Sequence, residues 1–146
     1  MPARKHRRRE RGNATLLGAL MLTLALGLFA LVTDGGLLYA SKSRLETYAQ
    51  EVALAGATAV DLNGVTGSGT ATLDWNKAQT LANQYFQGLN LGPTYVLTIV
   101  PQDPKNPNVF TVQISHDQPV YLIGAFVPIH TVTIVVQASA VPKVGF

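Results

Sequence analysis

The sequence predicts an α+β fold: a long N-terminal transmembrane helix continuing into an extracytoplasmic helix, packed with a second helix on a small antiparallel β-sheet. Three observations predict it. A twenty-residue uncharged stretch, Ala14 to Thr33, follows a strongly basic arm. Helical periodicity of apolar residues continues past that stretch and returns over Trp75 to Gly88. From Thr94 onward the period falls from 3.6 to 2.

Composition sets the bounds. A chain of 146 residues has room for roughly one domain of the usual 100 to 200 residues. It is 47% hydrophobic and only 13% charged, about half the charged fraction of an ordinary soluble domain, so part of it is expected outside water. The absence of cysteine excludes disulfides, thiolate nucleophiles and Cys-based metal sites. Segment by segment, the division is a basic cytoplasmic arm or leader at 1–12, a transmembrane and extended helix at 13–60, a flexible loop at 61–73 and an extracytoplasmic α+β head at 74–146.

The formal charge of +3 is unevenly placed. Six of the eleven basic residues, Arg4, Lys5, Arg7, Arg8, Arg9 and Arg11, precede the apolar stretch, and after Glu10 is subtracted the arm carries +5. The rest of the chain sums to −2. As a helix the uncharged stretch is roughly 30 Å long, the thickness of a bilayer's hydrocarbon core, and its apolar residues surround the whole wheel. A buried core helix is the alternative, but so small a domain could hardly cover every face. The six cations are the expected topology signal, holding their end in the cytoplasm and placing the C-terminal part outside. A nucleic-acid patch would call for interleaved aromatics, which the arm lacks. A cleaved secretory signal, cut near Leu38-Tyr39-Ala40, would have a shorter apolar region of about 7 to 15 residues.

Beyond Asp34-Gly35-Gly36 the helical pattern resumes. Leu38, Leu45, Val52 and Ala59 recur at sevenfold spacing, with Ser41, Tyr48 and Ala55 between them, as one packing stripe requires. Lys42 and Glu46, four apart, are placed to form an ion pair. The two glycines weaken a helix interior, so a bend is expected there. Asp34 reads as an interfacial residue or an N-cap for the second helical segment, hydrated just outside the apolar run. Small residues crowd Ala49 to Ala59, marking a surface open to close approach by the chain's own head or by a neighbouring subunit.

The order Arg11-Gly12, an apolar span, Asp34, Tyr39, Leu45, Ala49 and Ala53-Leu54-Ala55-Gly56-Ala57 resembles the N-terminal region of TadE/TadG-like proteins of tight-adherence (Flp) pilus systems. The likeness covers residues 8 to 59. It implies a single-pass anchor in the bacterial inner membrane, with membrane lipid and other pilin-like or pilus-assembly subunits as partners. It also implies possible prepilin-type processing between Gly12 and Asn13. Leu17 stands at the fifth position after that bond, where tight-adherence prepilins carry glutamate, so the similarity is closer to TadG-like members, which keep the arm. Helix packing is assigned to Leu38, Leu45, Ala49, Val52, Ala53 and Gly56.

Farther along, Asn63 to Thr70 is glycine-rich and polar, a turn or loop without the lysine of a phosphate cradle or the later ligands of a calcium loop. Asp74 is a good N-cap for a helix from Trp75 to Gly88, whose Trp75, Ala78, Leu81, Ala82, Tyr85 and Phe86 share a core-facing stripe. Tyr95 to Val100 and Val109 to Ile114 read as a hairpin, and His130 to Ala140 as a third strand. The uncharged block Pro119 to Pro128 is too short to span a bilayer. Core burial is its favoured reading, a short helix dipping toward the membrane or a partner the other.

Convergent catalytic groups are not evident. Adjacent Ser115-His116-Asp117 would alternate across a strand, and His6, His116 and His130 have no metal-ligand spacing. The expectation is a non-enzymatic protein with no cofactor, no nucleic-acid partner and no small-molecule substrate. Two function classes remain: a structural or assembly component of a pilus or related secretion apparatus, or a signal-anchored binding or adhesion module using the Trp75-Tyr85-Phe86 region or the turn Pro104 to Pro107.

Overall fold

The computed structural model describes residues 6–61 and 72–142, and side chains from residue 13 onward. Helix α1 (His6–Ala57) is followed by β1 (Val60–Asp61), β2 (Thr72–Leu73), α2 (Trp75–Gly88), β3 (Tyr95–Ile99), β4 (Phe110–Pro119), a 3-10 turn (Ile123–Ala125) and β5 (Thr131–Ala140). This is the α+β class the periodicities predict. β1 and β2 pair antiparallel, Val60 with Leu73 and Asp61 with Thr72. That two-rung ladder closes the base of the expected 61–73 loop, whose residues 62–71 lie outside the described residues.

The chain divides into two compact units, 1–37 with 119–130, and 38–118 with 131–146. In the second unit three strands lie in the order β3-β4-β5. β3 and β4 are antiparallel, with Tyr95 opposite His116 and Ile99 opposite Val112. The side-chain pairs Thr111 with Ser139 and Asp117 with Thr133 run in opposite sequence directions, as antiparallel neighbours do. β4 extends five residues past the predicted end at Ile114. Its polar Ser115-His116-Asp117-Gln118 tail gives no apolar alternation, so pairing with β3 as far as His116 and with β5 on its other edge, rather than hydrophobic pattern, keeps it extended.

Burial explains why these elements pack. The β4 residues Phe110, Val112 and Ile114 are fully buried, alternating with half-buried neighbours. They form one core with Leu45, Ala49, Val52 and Ala53 of α1, Ala78 and Ala82 of α2, and Val136 of β5. Small α1 side chains permit the close approach: a Cβ at Gly56 would overlap the Phe110 ring. Trp75 completes this corner, edge-on to Phe110 with ring centroids 5.3 Å apart. Asp74 caps α2 by accepting from the Lys77 N–H at 3.1 Å, as its position predicts. Beyond the far end of α2, Asn90 has φ 50 and Gly92 φ 90, the left-handed backbone that turns the chain toward β3.

Candidate functional site

Two surfaces carry the chemistry of this protein, one on each part of α1. The first is the apolar part. The most apolar 18-residue window of α1 has only 6% of its residues buried, whereas a soluble core helix would be mostly buried. Leu16, Leu20, Met21, Leu24, Leu28, Phe29 and Val32 are all exposed. Thr23 and Thr33 donate their hydroxyls to the carbonyls of Ala19 and Phe29, so both polar side chains are satisfied within the helix. By length and composition the helix can cross a bilayer.

One face of this part departs from the rule. Ala30 and Asp34, four residues apart on one helix face, are buried, and Asp34 is only 1% exposed. Asp34 Oδ2 accepts from the backbone N–H groups of Leu122 at 2.9 Å and Ile123 at 2.7 Å. Its Oδ1 is buried without a hydrogen-bond partner. The expectation of a hydrated or N-capping Asp34 is therefore corrected. Helical structure continues through Gly35 and Gly36, so no local N–H groups are free to be capped, and the carboxylate instead holds the opening of the 3-10 turn 88 residues away in sequence.

The 119–128 block is corrected as well. Only Val120 is buried; Tyr121 is 68% and Phe126 55% exposed, with Leu122, Val127 and Ile129 also exposed. Core burial, its favoured reading, does not occur, and its helical content is the single turn Ile123–Ala125.

The second surface is the packing stripe. Leu45, Ala49, Val52 and Ala53 are fully buried in the head core, Gly56 lies under Phe110, and Leu38 is half-buried. Lys42 and Glu46 form the ion pair their spacing predicts, at 3.6 Å and largely exposed. Ser41 donates to Gln118 Oε1 at 2.7 Å. The Tyr85 hydroxyl donates to Glu51 at 3.2 Å. Partial desolvation and then the Glu51 carboxylate push the Tyr85 phenol above its ordinary value of 10.0.

The remaining candidate groups are drawn into structural contacts. Trp75 faces Phe110 and Phe86 packs partly buried against the core, so they do not form an open aromatic platform with Tyr85. His116 stacks on Tyr95 with centroids 3.9 Å apart, while the Asp117 carboxylate accepts from Thr133. Among the described residues no group of three or more His, Asp and Glu side chains is placed to hold a metal. In the Pro104 to Pro107 turn, Asp103 is occupied by the Lys105 N–H and the Asn106 amide. The basic arm and Gly12 lie outside the residues whose side chains are described, and Asn13 is exposed within α1.

These features define a class: an α+β protein whose N-terminal helix is long and apolar enough to anchor it in a membrane and whose later turns form part of its core. Residues 12–59 match the family described as "Putative Flp pilus-assembly TadE/G-like" (Tad). The match covers nearly the same segment as the resemblance read from the sequence and falls almost wholly on α1. No curated protein and no solved structure matches the chain.

Proposed function

We propose that this protein is a membrane-anchored, pilin-like structural or assembly component of a tight-adherence (Flp) pilus or related secretion apparatus. The observation that carries the reading is the coincidence of the family match at 12–59 with a single helix that changes surroundings along its length. Its first part leaves its leucines exposed, and its last turns join a folded head. In this reading Arg4, Lys5, Arg7, Arg8, Arg9 and Arg11 hold the N-terminus in the cytoplasm at the bacterial inner membrane, and the head lies outside. Other pilus subunits are its partners.

Leu17 favours an anchored assembly factor over a filament subunit. A processed chain beginning at Asn13 would place a new ammonium group among packed apolar helices with no glutamate at position 17 to neutralise it, and an unpaired buried charge is costly. Intact-mass measurement of protein purified from native membranes tests this directly. Retention of residues 1–12 together with co-purification of pilus machinery is the expected result. A chain starting at Asn13 would make it a processed subunit, and a head that captures a soluble ligand without any pilus partner would support the adhesion-module reading instead.

A further inference from the structure

The geometry points to a second lipid-contacting element, in which the loop of residues 120–129 is immersed in the outer boundary of the bilayer against the end of the span; this rests on the reading that α1 crosses a membrane. The buried face of the span marks where the loop lies. Gly27, Ala30, Thr33 and Asp34 are the buried or half-buried positions between residues 13 and 37, all on one helix face, and the compact unit that contains them is completed by 119–130. From Asp34 back to Gly27 is about 10 Å along the helix axis, and all of it but Asp34 falls in the uncharged stretch. The loop therefore covers the last third of the segment that lipid would otherwise surround.

Its surface and backbone suit that place. No charged residue occurs from Gln118 to Ile129, and Tyr121, Leu122, Phe126, Val127 and Ile129 turn outward. An irregular backbone is tolerated in an apolar medium only when its polar groups are satisfied internally. Here most of the loop's N–H groups are so satisfied: that of Val120 by the His130 carbonyl, those of Leu122 and Ile123 by Asp34, and those of Ala125, Phe126 and Val127 by the carbonyls of Leu122 and Ile123. Ile129 bonds back to Val127, and Pro128 has no N–H to satisfy. Gly124 keeps the fold tight, since a Cβ there would come within 3.1 Å of both the Ile129 carbonyl oxygen and His130 Nδ1. The occupant is neutral lipid rather than anionic headgroups, because the loop offers no cation to attract them.

The chain has no cysteine, so a single introduced thiol yields a single label. Full-length protein carrying a nitroxide at Phe126→Cys or Val127→Cys is reconstituted in phosphatidylcholine vesicles, with and without phosphatidylglycerol. Leu24→Cys marks the span and Lys105→Cys the aqueous turn. Collision with oxygen and with a water-soluble nickel chelate reads depth. The expected result is that both loop labels lie about 5 to 10 Å below the phosphates, irrespective of phosphatidylglycerol. Loop labels as accessible to nickel as Lys105, with Leu24 immersed, overturn the immersion while leaving the span intact. Protection from both reagents overturns it in favour of a protein neighbour such as a second copy. An aqueous Leu24 overturns the span and the loop together.

Discussion

Residues 13–33 and 38–57 belong to one uninterrupted helix, yet they obey opposite rules. In the first, the large side chains are exposed and the few covered positions are small or polar: Gly27, Ala30, Thr33. In the second, Leu45 and Val52 are fully buried, with Ala49 and Ala53 beside them. A helix needs no change in backbone to pass from one regime to the other. What changes is the arrangement of side chains, from apolar on all faces to a stripe of apolar and small residues facing β4, flanked by the largely exposed Lys42–Glu46 pair.

The strongest way to break this contrast is to charge the first part. Leu24→Arg with Leu26→Arg should prevent stable insertion, since each arginine at the centre of a span costs about 2.5 kcal/mol or more. Loss of the protein from the carbonate-resistant membrane fraction is the expected readout. Next in size is Phe110→Ala, which removes the ring that fills the core over Gly56; thermal unfolding of the head should report a loss of about 3 to 5 kcal/mol, with insertion unaffected.

A glycine pair sharpens the comparison further. Gly56→Ala places a methyl group into the Phe110 ring and should destabilise the head by about 1 to 3 kcal/mol. Gly35→Ala meets nothing within 4 Å and should raise helix stability by about 1 kcal/mol. Opposite signs in calorimetry are expected; equal signs would mean that the two parts are not packed differently. Smaller still, Asp74→Ala removes the α2 cap and should cost about 1 kcal/mol in chemical denaturation.

The smallest effect is a pH dependence. Tyr85 holds its proton more tightly folded than unfolded, because its phenol is raised by partial desolvation and by Glu51. That contribution is fully present below the ordinary value of 10.0 and is lost as pH rises through the raised folded value. Because the group is exposed, the effect is screened by salt. Tyr85→Phe should flatten the alkaline limb of a stability profile slightly, checked by urea titration at stepped pH.

Much of this was legible in the sequence because it is local. The uncharged stretch, the Asp74 cap, the Trp75 to Gly88 stripe and the β3–β4 hairpin each depend on neighbours a few residues away. The Asp34 clamp was not legible, since its partners are backbone N–H groups with no side-chain signature, far along the chain. The 119–128 block was misread for a different reason: an uncharged apolar segment has the same letters whether protein or lipid covers it. The Ser115 to Gln118 end of β4 is extended by cross-strand pairing that no alternation of polarity announces.

The seat of Phe110 over Gly56 has a mechanical meaning. Sliding the helix along its axis by a turn would bring the side chain of Val52 or Ala53, which share the face of Gly56, beneath the ring, so the contact acts as a notch and not as a greased surface. Tension applied along α1 would be taken up by that stop and passed straight into the central strand.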